Sequence, residues 1–240
     1  DYNLALDLYD RWILATEYPP APGANHRRTG DRFNDALRVV REVLAMPHSR
    51  IFVHRIGAGK DRRDPNARTD QARLFEVAEL CCRYLVSFFD NRDTGLPLAR
   101  RSLRFLLGGA ASGATFLNLF GGTGTATVAV LVNNGFATTT VDPSAALLQR
   151  ARANFALNGF GGPQHGTIQE DCLRWLAQCR STYSLILLNH PASGGGPRAG
   201  TSPRPRLDQE ELLRLAMQRL TREGLLLFAA DAVSYTHLRA

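Results

Sequence analysis

Residues 115–142 read Thr-Phe-Leu-Asn-Leu-Phe-Gly-Gly-Thr-Gly-Thr-Ala-Thr-Val-Ala-Val-Leu-Val-Asn-Asn-Gly-Phe-Ala-Thr-Thr-Thr-Val-Asp. An apolar run, Thr115–Phe120, meets the glycine cluster Gly121-Gly122-Thr123-Gly124. A helix-length stretch, Thr125–Asn133, leads to a second strand-like run, Thr138–Val141, closed by Asp142. Strand, glycine turn, helix and strand make one βαβ unit. The alternation continues outward. Further strands are expected at Gln164–Gln169, Tyr183–Leu188 and Leu225–Ala229. Further helices are expected at Leu98–Leu107, Ser144–Leu157, Leu173–Cys179 and Gln209–Leu220. Apolar strands alternating with helices predict an α/β fold with a doubly wound, mostly parallel sheet. Residues 191–206 are half glycine or proline and read as a loop.

The first third of the chain has another pattern. Residues 2–18 alternate apolar and polar side chains, as two strands joined by a short turn. Pro19-Pro20-Ala21-Pro22-Gly23 ends the second. Residues 31–46 carry Phe33, Ala36, Leu37, Val40, Val43 and Leu44 at helical spacing, with Asp31 or Thr29 as a cap. Ile51–Ile56 reads as a strand, Gly57–Asp70 as a polar, basic loop, and Leu74–Leu80 with Arg83–Phe89 as a hairpin. Residues 1–90 are therefore expected to form a small α+β module, and residues 91–232 the α/β domain. The chain starts at Asp1 inside a strand-like pattern, so a preceding segment is expected. Its last residues, Val233–Ala240, resemble translated adapter sequence, and no function is read from them.

The chain has 240 residues, 44% of them apolar and 21% charged, which excludes a disordered chain. No apolar run approaches the ~18 residues of a membrane helix. The four cysteines, Cys81, Cys82, Cys172 and Cys179, fit neither a disulfide scaffold nor a zinc spacing, so no metal is expected. Adjacent Cys81 and Cys82 read as reduced core residues, which suits a reducing, cytoplasmic setting. The net charge is +7, and residues 26–73 hold 12 Lys/Arg against 6 Asp/Glu. Basic charge gathered in one segment suggests an anionic partner, nucleic acid first, against a merely solvated basic face.

In a doubly wound sheet a ligand sits at the carboxyl ends of the strands, where their order reverses. Four strand ends carry polar residues or glycine. The first is Asn118-Leu-Phe120-Gly121-Gly122-Thr123-Gly124, which is neither GxGxxG nor a phosphate loop. The second is Asp142, about 20 residues on, where a carboxylate can accept both ribose hydroxyls. The third is Glu170-Asp171-Cys172 and the fourth Asn189-His190-Pro191. Asp142 and Asp171 taken singly could be helix caps. All four ends together point to a nucleoside site.

These segments resemble a family. Asp93-Thr-Gly-Leu96, Phe116–Phe120, Thr123–Val128, Thr138–Asp142, Asn154-Phe-Ala-Leu-Asn-Gly159 and Ile168–Leu176 are similar to the guanine-N7 methyltransferase half of the fused bacterial large-subunit ribosomal RNA methyltransferases (RlmK/RlmL type). Tyr2-Asn3-Leu4 and Glu17-Tyr18-Pro19 match the module that precedes that domain. The resemblance runs from Tyr2 to about Ala230. It implies a class I methyltransferase sheet, S-adenosyl-L-methionine as cofactor, a guanine of 23S rRNA as substrate, and a second methyltransferase fused upstream. Carried over by position, Asn118, Phe120, Gly121, Gly122, Thr123 and Gly124 line the methionine part of the cofactor. Asp142 takes the ribose, and Asp171 with Cys172 faces the adenine. Arg101 and Ser144 join this set. Asn189 and Pro191 lie beside the transferred methyl.

The chain departs from the family where Asn189-His190-Pro191-Ala192-Ser193 replaces Asp-Pro-Pro-Thr-Phe. It departs again at Pro97, Ala99, Arg100, Gly122 and Ser184. His190 reads as a partly exposed loop histidine rather than a base. Cytosine-C5 chemistry needs a cysteine near the fourth strand end, and none follows Cys179. Arg27, Arg28, Arg55, Lys60, Arg62, Arg63 and Arg68 form the candidate RNA surface, with Arg198, Arg204 and Arg206 over the substrate. The rival reading is a catalytically silent RNA-binding module with the same fold. A small-molecule methyltransferase fits the basic segment less well.

Overall fold

In a computed structural model, residues 3–19, 26–56, 73–89, 94–190 and 205–230 can be described. The chain divides into two units, residues 1–98 and 99–240.

In the first unit, β1 (Leu4–Tyr9) and β2 (Trp12–Glu17) form an antiparallel hairpin. Its two-residue turn is opened by Asp10 at φ 52°. Parallel strands need a crossover, and α1 (His26–Val43) supplies it between β2 and β3 (Ile51–Arg55). The helix starts five residues before the apolar spacing does. Residues 26–30 carry no apolar side chain, so periodicity could not register them. The helix ends at Val43, and Ala45 turns the chain at φ 48°. The hairpin of β4 (Phe75–Glu79) and β5 (Cys82–Val86) is as expected. An aromatic cluster packs this unit. Phe52 and Phe88 stack at 4.6 Å, and Trp12 and Phe75 meet edge-on at 4.8 Å. His54 Nε2 lies 2.7 Å from the Phe88 carbonyl oxygen. Cys82 is core, and burial pushes its thiol up to about 11. Cys81 is exposed instead, because it occupies the turn between β4 and β5.

The second unit opens with α2 (Arg101–Gly109), after a single 3₁₀ turn at Leu98–Arg100. There follow β6 (Thr115–Leu119), α3 (Thr125–Val132), β7 (Ala137–Asp142), α4 (Ala145–Leu157), β8 (His165–Gln169), α5 (Cys172–Gln178), β9 (Tyr183–His190), α6 (Pro205–Gln218) and β10 (Leu220–Ala230). The five strands are ordered β10-β9-β6-β7-β8, and every neighbouring pair is parallel. The chain runs from β6 through β7 to β8, then returns to pair β9 on the other side of β6. The reversal therefore falls between β6 and β9.

Alternation sorts the core onto two faces. Leu117, Leu119, Ile186 and Leu188 pack with Cys172, Leu176, Leu212 and Ala216 of α5 and α6. Phe116, Leu185 and Leu187 pack with Leu107 and Val130 of α2 and α3. Each such leucine contributes ~1.5–3 kcal/mol on full burial. Three boundaries differ from expectation, and one is β10, which begins at Leu220 rather than Leu225, with a register shift between those two residues. β9 continues through Asn189 and His190, which pair with Ala229 and Ala230. α6 begins at Pro205, inside the stretch read as loop, and proline suits the first helical position because its φ is already helical. Ser184 fastens the other end of β9: its Oγ accepts from Thr115 N–H at 3.0 Å, and its N–H donates to Thr115 Oγ1 at 3.0 Å. Among the described residues, no helix is long and apolar enough to cross a membrane.

Candidate active site at the carboxyl edge of the sheet

Because β9, β6, β7 and β8 are consecutive neighbours, their carboxyl ends stand side by side. At a spacing of ~4.8 Å per strand they span about 14 Å. The glycine loop, Asp142, Asp171 and Asn189 are thereby brought to one edge.

The loop after β6 is braced from three directions. Gly121 N–H donates to the Val141 carbonyl at 3.0 Å, and Gly124 N–H to that of Gly121 at 2.9 Å. Gly122 N–H donates to Asp142 Oδ2 at 2.8 Å. Asn154, fully buried on α4, donates from Nδ2 to the Thr123 carbonyl at 2.8 Å. Asn154 was not among the expected site residues. Its signal was a polar side chain on an apolar helix face. Gly121 and Gly124 are required by packing. A Cβ at Gly121 would lie 2.3 Å from Thr140 Cγ2. Gly122 and Gly124 both adopt positive φ, 56° and 72°.

Phe120 also adopts a left-handed φ of 56°. Strict alternation would send its ring to the α3 face with Phe116. The turn sends it instead to the cluster around Leu117 and Leu119, under α5 and α6.

Asn118 does not line an open surface. It is buried, with Nδ2 donating to Thr127 Oγ1 at 3.0 Å, and Thr127 in turn lies 2.8 Å from Thr140 Oγ1. Asn118 Oδ1 is buried with no hydrogen-bond partner among the described residues. Replacing Thr127 by valine keeps the shape and strips both neighbours of a partner. We expect a loss of ~1–3 kcal/mol, seen as a lower thermal midpoint. An unchanged midpoint would show that the network carries no stability.

Asp142 is 1% exposed. Its Oδ1 accepts from Ser144 N–H at 2.9 Å while Oδ2 holds Gly122. The cap of α4 is Ser144, whose Oγ accepts from Leu147 N–H at 3.3 Å, and not Asp142. Asp171 is an exposed helix cap, accepting from Arg174 N–H at 3.0 Å through Oδ1. Cys172 is fully buried. Its Sγ accepts from Phe120 N–H at 3.3 Å and donates to the Val141 carbonyl at 3.6 Å, so the thiol is turned into the core rather than to the edge where the adenine was expected.

Asn189 is half-buried on the face of Leu185 and Leu187, toward α3. His190, read from sequence as a partly exposed loop residue, is a buried strand residue at 8% exposure. It is held by contacts with Phe120 and Gln209. Arg101 opens α2 and is exposed. Among the basic residues, Arg55 is engaged. Its Nε donates to Glu17 Oε2 at 2.8 Å, and its guanidinium lies over the Phe33 ring. Arg27 and Arg28 lie in the first turn of α1, and Arg206 in that of α6. Lys60, Arg62, Arg63, Arg68, Pro191, Arg198 and Arg204 lie outside the described residues.

This sheet order, with its braced glycine loop, is the class I methyltransferase fold. The chain superposes on a SAM-dependent methyltransferase from Agrobacterium tumefaciens with TM-score 0.68 at 20% identity, covering 97% of this chain and 71% of that one. It superposes on a protein assigned to the methyltransferases and crystallised with SAH with TM-score 0.72 at 22% identity, covering 96% and 58%. At these identities the likeness establishes the fold. In sequence the chain is similar to the ribosomal RNA large subunit methyltransferases K/L, 37% identical over 231 residues in Desulfotalea psychrophila and 36% over 234 in Allochromatium vinosum. These matches take in 96% and 95% of the chain but only 32% of either relative, so the chain is related to about a third of those proteins. No known family model matches it.

Proposed function

We propose that the chain is an S-adenosylmethionine-dependent methyltransferase acting on N7 of a guanine in 23S ribosomal RNA. The observation that carries this reading is the single edge on which β9, β6, β7 and β8 set Asn189, the braced glycine loop, Asp142 and Asp171. The relatives' names, ribosomal RNA large subunit methyltransferase K/L, support a large-subunit ribosomal RNA as substrate, and N7 of guanine follows the sequence resemblance.

The residues fit the cofactor on one independent point. A buried acceptor without a donor, Asn118 Oδ1 under the glycine loop, suits the ammonium of a methionine moiety. Gly121 to Gly124 would bring backbone close to that moiety. Asp142 would offer its remaining lone pairs to the ribose, and Asp171 the oxygen outside its cap bond to the adenine. Ser144 would keep Asp142 aimed, and Arg101 would flank the site. When bound, S-adenosylmethionine supplies a methyl group already activated on a sulfonium.

Guanine N7 carries an in-plane lone pair and gives up no proton, so the site needs no general base. What remains is orientation, which can supply ~7–11 kcal/mol. Asn189 has one acceptor oxygen and two amide hydrogens for the base edge. Pro191 would border the methyl path. Residues 1–90, through the basic segment with Arg27, Arg28 and Arg55, would hold RNA, and residues 91–232 would transfer the methyl. The second methyltransferase that the resemblance implies would lie in the part of the relatives that this chain does not match.

The test is radiolabelled methyl transfer to unmodified 23S rRNA, with the label located by strand scission at N7-methylguanine. Label on a guanine at N7 is expected. Label on cytosine or an exocyclic amine would overturn the assignment. RNA retained without label would favour a silent RNA-binding module, the reading that Asn189-His190 in place of Asp-Pro supports.

A further inference from the structure

His190 stands where the resemblance places a proline, directly after Asn189. A proline restrains its own φ through its ring. Histidine has no such restraint, and here it is the last residue of β9. In this chain the position is held from outside. Gln209 Nε2, on α6, lies 3.1 Å from His190 Nδ1. An amide NH2 only donates, so Nδ1 accepts and the ring proton sits on Nε2. On the same ring, Phe120 packs edge-on, with centroids 5.4 Å apart at 68°.

Phe120 is the hinge between β6 and the glycine loop. His190 thus joins three elements: α6, the end of β9, and the loop after β6. Successive strand residues face opposite sides. Holding the His190 ring against α6 therefore fixes the direction in which Asn189 leaves the other face.

We infer that His190, oriented by Gln209, is a positioning residue that sets Asn189 against the glycine loop, and with it the spacing between methyl donor and acceptor base. This rests on the methyl-transfer reading above. It assigns His190 no proton transfer, since N7 methylation moves none.

The variants are Gln209→Leu, His190→Phe and the double, made in the whole chain. His190→Phe keeps a ring beside Phe120 and removes the Nδ1 acceptor. Methyl transfer to 23S rRNA should show kcat lowered about 10- to 100-fold in each. SAH affinity by calorimetry should stay within about twofold. The double variant should be no worse than the poorer single, because both remove one contact. A readout without turnover is the long-range 1H–15N spectrum of the SAH-loaded chain. His190 should appear as the Nε2–H tautomer alone, and Gln209→Leu should release it to a mixture. A tautomer mixture in the wild type, additive losses, or SAH affinity falling with kcat would each overturn the inference. Variants that match a methyl-transferring wild type overturn it alone. A wild type that holds one tautomer yet transfers no methyl overturns the methyl-transfer reading and this inference together.

Discussion

Replacing Asp142 by alanine should abolish measurable SAH binding and destabilise the fold together. The carboxylate holds Gly122 N–H at 2.8 Å and Ser144 N–H at 2.9 Å while 1% exposed. Removing it leaves two donors without partners in a buried place, at ~1–3 kcal/mol each. It also removes the proposed ribose acceptor and lets the glycine loop relax. We expect SAH affinity to fall by at least about 100-fold, equivalent to ~2.7 kcal/mol. Titration calorimetry with SAH, beside thermal denaturation, separates the two effects. Asp142→Asn keeps one acceptor and should sit between wild type and alanine in both. An alanine variant that binds SAH as wild type does would sink the site assignment.

The second large effect is expected at Gly124. Its φ is 72°, and a Cβ there would lie 2.7 Å from Phe155 Cε1 and 2.9 Å from Ala151 Cβ. Ala151 Cβ is fixed to the α4 backbone and cannot retreat by rotating. Left-handed backbone costs an alanine ~1–2 kcal/mol, and overpacking adds ~1–3 kcal/mol. Gly124→Ala should therefore lose about 2–5 kcal/mol and push α4 off the loop that it braces through Asn154. Gly159 provides the contrast. Its φ is 83°, but nothing lies within 4 Å of its would-be Cβ. Gly159→Ala should lose only the conformational part. Equal midpoints for the two variants would show that contact with α4 is not what excludes a side chain at Gly124.

The parallel sheet was legible because β6, β9 and β10 carry short apolar runs and α3, α4 and α5 follow Gly124, Ser144 and Asp171. The order β10-β9-β6-β7-β8 rests on long-range pairing that no local pattern carries. The edges of elements were missed where the deciding residue was not apolar. Residues 26–30 extend α1 without an apolar side chain, and β9 absorbs the polar Asn189 and His190 because β10 pairs with them. For the site, sequence showed which residues stand at the strand ends but not which way they face. Asn118, Cys172 and Asp142 turned out to be buried. Their inward partners, Thr127, Phe120 and Gly122, are set by tertiary contact. The left-handed turn at Phe120, which reverses the expected face of that ring, had no sequence signal, since phenylalanine rarely adopts it.

The clasp between Ser184 and Thr115 joins residues 69 apart in sequence. The hydrogen bonds that tie Gly121, Gly122 and Thr123 to Val141, Asp142 and Asn154, by contrast, fall within residues 121–154. The two sides of the cleft therefore differ in how they are assembled. The glycine-loop side closes through the shorter chain loops. The side bearing Asn189 waits for a strand that arrives after β8 and α5, and non-local pairing of this kind slows folding. During synthesis from the amino end, the loop proposed to hold the cofactor would emerge before the strand proposed to aim it.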